Sequence, residues 1–265
     1  MQKKIIYGVI ICFALWALSN FLTFFLQDYF IFRLDALPKE YTFQITQPYQ
    51  EVTISRKDGE VHGLLFLQEN PKGIVLFFHG NRGNVERWKE VSERFLLRGY
   101  SVFIPDYRGY GKSTGKRNEE IFYADALACY GWLNENFPNL PITVYGRSIG
   151  SAAATYVAAH AECKRLILET PFYSMKDLFY TYYPFLPRLF FFRYEFPNHT
   201  YLDQTKVPVS IIVGKEDGVV PYRCSRKLEQ HLKPNDAWMV VEEGSHNDLD
   251  QFDEYWRFLD QALVQ

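Results

Sequence analysis

The sequence has no surplus of either charge. Over 265 residues, 29 basic and 31 acidic side chains leave a formal net charge of −2. A chain this balanced has no electrostatic footprint for nucleic acid, and none is expected as a partner. Cysteine is scarce as well. Cys12, Cys129, Cys163 and Cys224 form no C-x-x-C pair, and none has a histidine at metal-ligand spacing. That pattern argues against a zinc site, and no metal or cofactor is expected. Cys12 falls in an apolar stretch, so an odd number remains and no complete disulfide framework is implied. There is no internal repeat and no low-complexity tract, which excludes solenoids and tethering arrays. The chain is long enough for one large core or at most two modest domains.

Charge is also missing locally. Residues 5–26 carry no charged side chain. At ~1.5 Å per residue that run makes roughly 33 Å of helix, enough to cross a ~30 Å hydrocarbon core. Lys3 and Lys4 precede it and Asp28 follows it. The expected reading is a retained single-pass anchor, residues 1–26, with a juxtamembrane connector over 27–50 in which Pro38 breaks any helix. Basic residues stay on the cytoplasmic side, so the catalytic body is expected to be exoplasmic, periplasmic in a bacterium. A cleaved signal peptide ending near Ala17-Leu18-Ser19 is one alternative, although apolar character resumes at Phe21. A buried core helix is the other, and the lack of a polar face argues against it.

From residue 51 onward the chain alternates strand-like and helix-like patterns. Strands over 52–55 and 61–67 flank Asp58-Gly59, a hairpin turn signal. A continuous apolar run at 74–78 reads as a strand buried on both faces, and further strands are expected at 101–104, 142–145, 165–168, 209–213 and 237–241. Helices are expected over 84–98, 119–137, 149–161, 221–232 and 249–264. A hairpin followed by repeated strand–helix units gives a mostly parallel sheet with helices on both faces. Residues 172–205 interrupt the rhythm. They are dense in Phe and Tyr, contain Pro184, Pro187 and Pro197, and are too long for a simple loop. A small aromatic cap is the expected reading, with packing and membrane contact as its alternative role.

Gly146-Arg147-Ser148-Ile149-Gly150 matches G-x-S-x-G. The pattern alone is common, but a strand leads into it and an alanine-rich helix leaves it, the setting of a nucleophile elbow. Without that setting it is a helix-capping serine. A serine hydroxyl needs a base. Of six histidines, His246 lies in a loop after the last strand, where an open parallel sheet keeps its active site. His160 and His231 fall in helices, and His79 is expected to brace its loop. The base needs an acid, and Asp217, after the strand at 209–213, gives the order Ser, Asp, His. Glu169, Asp106 and Glu216 are the competing acids at strand ends. Oxyanion donors are expected from the backbone N–H of Ile149 and of Asn81, the latter in the loop His79-Gly80-Asn81-Arg82-Gly83-Asn84. That loop lacks the G-K-[ST] ending of a phosphate cradle.

Together, HGNRGN, PDYRGYGKSTG, GRSIG, ETPFYS, GKEDGVVP and GSHND, in this order, resemble the membrane-anchored branch of the α/β-hydrolase superfamily, including bud-emergence-type hydrolases and abhydrolase-domain proteins with one N-terminal span. The resemblance covers about residues 50–262 and also the anchor. It implies an α/β-hydrolase fold over 51–265 with the cap at 172–205, Ser148 as nucleophile, Asp217 as acid, His246 as base, and Asn81 with Ile149 as the oxyanion site. The chain lacks the cysteine-rich N-terminus of the depalmitoylase members, which argues against that role. The expected activity is hydrolysis of acyl esters or thioesters of lipophilic substrates, with Phe190, Phe191 and Phe192 of the cap contacting the acyl chain. A serine aminopeptidase or amidase, and a non-catalytic membrane-tethered binding module, are the other function classes. The sequence does not specify an oligomeric state.

Overall fold

Short apolar runs separated by helix-forming segments close into one mixed sheet. The computed structural model describes residues 2–264. Met1 and Gln265, which end the expected anchor and hydrolase segments, lie outside them. The strands are β1 (Asp35–Ala36), β2 (Gln50–Arg56), β3 (Gly59–Phe66), β4 (Ile74–Phe78), β5 (Ser101–Pro105), β6 (Tyr110–Gly111), β7 (Thr114–Gly115), β8 (Ile142–Arg147), β9 (Arg165–Glu169), β10 (Val209–Gly214) and β11 (Ala237–Val241). The main sheet runs β11-β10-β9-β8-β4-β5-β3-β2, with β7 paired to β3. β2 and β3 are antiparallel to each other, and β3 is antiparallel to β5. Along the sheet from β5 through β4, β8, β9 and β10 to β11 every pairing is parallel, whereas β7 is antiparallel to β3. β4, β5, β9 and β10 are buried at every position, as the unbroken apolar runs require of strands covered on both faces.

The helices are α1 (Gln2–Ile31), α2 (Val85–Trp88), α3 (Val91–Leu96), α4 (Glu119–Asn136), α5 (Gly150–His160), α6 (Met175–Tyr182), α7 (Asn198–Gln204), α8 (Tyr222–Ser225) and α9 (Asp253–Val264). One core holds α4 and α5 against the sheet, where the buried alanines 152–154 let α5 lie close. The opposite core holds α3 and α9. In α9 the buried Tyr255, Leu259, Ala262 and Leu263 recur at helical spacing, one apolar stripe on an otherwise polar helix. Burying a side chain such as Leu259 contributes roughly 1.5–3 kcal/mol. α4 starts where the Asn118 side chain accepts the Ile121 N–H at 2.7 Å, with Glu119 and Glu120 in the first turn suiting the helix dipole.

Several expected boundaries move. The hairpin turn falls on Lys57 and Asp58, since Gly59 already pairs with Arg56. Gly59 is needed instead because a Cβ there would run into the backbone of Thr114. The helix expected over 84–98 breaks between α2 and α3. There the Ser92 hydroxyl and its N–H both take the Lys89 carbonyl, at 2.6 and 3.0 Å, in competition with regular helical bonding. The segment expected as one helix over 221–232 is α8 followed by a 3-10 turn, Arg226–His231. The last helix begins at Asp253, after a 3-10 turn at Leu249–Gln251. At the other end α1 continues past residue 26 to Ile31, so the first part of the expected connector is helical.

Residues 172–205 hold α6, an irregular stretch through the prolines, and α7, and they join β9 to β10. Asn198, fully buried, fixes this insertion to α5. It donates to Phe172 O at 2.8 Å and Ser151 Oγ at 2.9 Å, and accepts from Thr155 Oγ1 at 2.8 Å.

Candidate active site

The loops that leave β4, β8, β10 and β11 all start at carboxyl ends of parallel strands, so they meet on one side of the sheet. These loops carry Asn81, Ser148, Asp217 and His246 in turn.

Ser148 has φ +54°, a left-handed conformation that costs a side-chain-bearing residue ~1–3 kcal/mol. The neighbours hold it there. Its N–H donates to Glu169 O at 2.9 Å, and its carbonyl accepts the Ser151 N–H at 2.9 Å and the Ser151 hydroxyl at 2.6 Å. The flanking glycines are steric requirements. A Cβ on Gly150 would strike the Phe78 carbonyl, and one on Gly146 would strike the Gly150 carbonyl and the Ala154 Cβ. The turn therefore lifts the Ser148 hydroxyl off the strand at the start of α5.

His246 Nε2 lies 3.1 Å from Ser148 Oγ, and His246 Nδ1 lies 2.7 Å from Asp217 Oδ2. Both partners of the serine are buried, with His246 8% and Asp217 6% exposed. The other oxygen of Asp217 accepts the N–H groups of Val219 at 2.8 Å and Val220 at 2.7 Å, which sets the carboxylate plane. With Asp217 accepting at Nδ1, the free lone pair of a neutral His246 is on Nε2, facing the serine. The loop before the histidine is held by Asp248, which takes the Ser245 N–H and hydroxyl, each at 2.6 Å. The Ser245 hydroxyl holds the Asp248 carboxyl below its ordinary range.

The competing acids lie elsewhere. Asp106 is fully buried against His79 Nε2 at 3.1 Å and the Val85 N–H at 2.8 Å, and burial pushes its carboxyl up. His79 also contacts Gly80 O through Nδ1 at 2.7 Å, which braces the loop before Asn81. Glu216 is exposed. Glu169 is buried, and burial alone would raise its carboxyl. The Arg147 and Arg94 guanidiniums, with the Tyr145 and Tyr255 hydroxyls, outweigh that and hold it below the ordinary carboxylate range. His160 stacks on Tyr156, and His231 sits 2.7 Å from Asp203.

Arg147 fills the variable position before the serine, where the motif assigns no role. It reaches Glu169 Oε1 at 3.1 Å through Nε, and the His246 carbonyl at 3.0 Å through a terminal nitrogen. One buried guanidinium thus ties the elbow to the histidine loop. From the cap, the Tyr182 hydroxyl lies 2.6 Å from Gly218 O and 2.9 Å from Val219 O, against the loop of Asp217.

Ser148, Ile149, Asn81 and His246 line a cleft of about 1460 Å³. Trp88 stands beside Gly80 on one wall. Phe190 and Phe192 of the cap line the cleft, but Phe191 does not. The Phe191 side chain is 64% exposed, because its backbone is turned toward α1: its N–H donates to Asn20 Oδ1 at 3.0 Å and its carbonyl accepts from Gln27 Nε2 at 3.1 Å. Of the three aromatics expected to contact an acyl chain, Phe190 and Phe192 thus lie at the cleft and Phe191 lies outside it. Asn81 also lines the cleft; its side chain donates to Ile31 O at 3.1 Å and its carbonyl accepts from the Tyr110 hydroxyl at 3.0 Å.

A family profile described as serine aminopeptidase, S33, matches residues 69–199. The membrane protein YNL320W of Saccharomyces cerevisiae is 30% identical over 228 residues, covering 82% of this chain and 80% of the relative. The lysophosphatidylserine lipase ABHD12 of Danio rerio is 29% identical over 197 residues, covering 65% of this chain and 50% of that one; the chain spans about half the length of these lipases. Among solved structures, an esterase of Pyrococcus furiosus, Pf2001, superposes with a TM-score of 0.67 at 20% identity, covering 88% of this chain and 98% of that one.

Proposed function

The chain belongs to the α/β-hydrolase family, and on that premise we propose that it cleaves acyl ester or thioester bonds of lipophilic substrates through an acyl-enzyme on Ser148. The observation that carries the reading is the continuous contact from Asp217 to His246 to Ser148 beside an open cleft. His246 Nε2 takes the Ser148 proton as Oγ bonds to the acyl carbon, and Asp217 stabilises the imidazolium. The oxyanion is received by the N–H groups of Ile149 and Asn81. Its collapse breaks the bond to the leaving oxygen or sulfur, which takes the proton from His246. Water, deprotonated by the same imidazole, then releases the acid and frees Ser148.

Amide cleavage is the second reading, favoured by the description of the matching family profile. The charge in the cleft speaks against an amino-terminal substrate. Arg33, Arg82, Arg87, Arg94, Arg98 and Arg147 line it against two carboxylates, Glu90 and Glu93, and Arg33, Arg82 and Arg87 have no carboxylate at ion-pair distance among the described residues. Unpaired arginines suit an anionic headgroup, the kind named for the lysophosphatidylserine lipases.

A substrate panel tests the reading. Each methylene buried in the cleft contributes ~0.8 kcal/mol, about fourfold in kcat/KM. Esters of medium or long chain are expected to beat acetate by well over tenfold, to beat aminoacyl amides, and lysophosphatidylserine to beat lysophosphatidylcholine. Phe190→Ala with Phe192→Ala should flatten the chain-length profile, while Phe191→Ala should not. Preference for acetate or for amides contradicts the reading.

α1 is long and apolar enough to cross a membrane. We infer that it is a single-pass anchor with Lys3 and Lys4 on the cytoplasmic side and the hydrolase body outside. A reporter active only outside the cytoplasm, fused after Gln265, is expected to be active; activity of a cytoplasm-only reporter there reverses the orientation.

A further inference from the structure

α1 is apolar over most of its length, yet Ser19, Asn20, Thr23, Gln27 and Asp28 stand in its second half. Asn20 and Gln27, seven residues apart, share a face with Ile31, and these are its buried residues. Their polar groups meet the backbone of the cap. Asn20 accepts the Phe191 N–H at 3.0 Å. Gln27 donates to Phe191 O at 3.1 Å and accepts from the N–H groups of Arg193 at 2.8 Å and Tyr194 at 3.3 Å. Asp28 pairs with Arg193 at 2.8 Å and accepts from the Tyr194 hydroxyl. This stretch of cap has no helix or strand of its own, so α1 supplies the partners that its backbone would otherwise lack. The end of α1 is tied to the other side of the site too. Ile31 O accepts from Asn81 Nδ2 at 3.1 Å, and Asp35 O accepts from Asn84 Nδ2 at 3.0 Å.

Beside that docked face, Leu22, Leu26 and Phe30 follow one another at four-residue intervals and line the same cleft as Ser148 and His246. A helix that serves only as a tether needs neither feature. It needs no polar side chains within the apolar span, where unpartnered amides are expensive, and no contact with the nucleophile's cleft.

We propose that the last three turns of α1 are part of the substrate site. Asn20, Gln27 and Asp28 hold the cap in place, and Leu22, Leu26 and Phe30 form the wall along which the acyl chain of a bilayer-resident lipid enters. The inference rests on the hydrolase reading above and names where its substrate lies. Asn20 and Gln27 are positioning residues, acting through the cap.

The test uses the full chain in detergent micelles with p-nitrophenyl dodecanoate, p-nitrophenyl acetate and limited trypsin digestion. Asn20→Leu with Gln27→Leu keeps the helix apolar and removes the docking. The ratio of kcat/KM for dodecanoate over acetate is expected to fall at least tenfold, and cleavage after the exposed Arg188 to quicken at least fivefold. Leu26→Trp keeps the docking and narrows the wall, so the preferred chain should shorten with cleavage at Arg188 unchanged. An unchanged ratio in the double variant, or an unchanged profile in Leu26→Trp, overturns the proposal. If the parent chain hydrolyses neither ester, the hydrolase reading is what fails. The digestion then decides the docking alone, and an unchanged rate of cleavage overturns that as well.

Discussion

Asp217→Asn is expected to lower kcat by on the order of 10⁴ with a much smaller change in KM. The asparagine oxygen can still accept the N–H groups of Val219 and Val220, so the loop keeps its shape. Its amide nitrogen, however, then faces His246 Nδ1, now 2.7 Å from a carboxylate oxygen. Two donors cannot share that contact. The imidazole must carry its proton on Nε2 instead, where it can no longer take one from Ser148, and the developing imidazolium loses its counter-charge. Glu169→Gln provides the contrast, because this acid is the other carboxylate that ends a strand beside the site. It faces Arg147, Tyr145 and Tyr255 and not His246. Removing its charge leaves a buried guanidinium uncompensated, a loss of ~3–5 kcal/mol in stability. The melting temperature should therefore drop while kcat of the folded fraction falls far less than in Asp217→Asn. Steady-state kinetics beside thermal melts distinguishes the two, and the opposite ranking of kcat would place the acid after β9.

Ser148→Ala is expected to lower kcat by on the order of 10⁶, the scale seen when a triad nucleophile is removed. The variant should still fold. Alanine tolerates φ +54° no better and no worse than serine, and the backbone bonds to Glu169 and Ser151 do not use the hydroxyl that is lost. The N–H groups of Ile149 and Asn81, the proposed oxyanion donors, are untouched by the change, so a small residual rate over water is part of the expectation. Retention of more than about a hundredth of the parent kcat, with unchanged circular dichroism, contradicts the assignment of the nucleophile.

Much of this was readable from the sequence because the constraints are local. The spacing of Gly146, Ser148 and Gly150 reflects clashes within a few residues, and the alanines after them reflect a helix pressed on the sheet. His246 and Asp217 could be chosen because parallel strands put the loops after them on one side. What the pattern did not reveal depends on contacts between distant segments. Arg147 looks like a free position until its guanidinium is found between Glu169 and the His246 carbonyl. Phe191 is indistinguishable in sequence from Phe190 and Phe192, and only the pull of Asn20 and Gln27 on its backbone turns it out of the cleft. α1 likewise runs on to Ile31, past residue 26 where the uncharged run ends, and its continuation carries Gln27 and Asp28 to the backbone and side chains of the cap. The break between α2 and α3 turns on one hydroxyl, Ser92, within a segment of helical pattern.

The central claim is that Ser148 is a covalent nucleophile activated by His246. Its most direct test is to treat the full chain with a fluorophosphonate, digest it, and locate the added mass by peptide sequencing in a mass spectrometer. The account predicts a single adduct on Ser148, absent from Ser148→Ala and formed far more slowly in His246→Ala. An adduct on another residue, or labelling of Ser148→Ala at the parent rate, would contradict it.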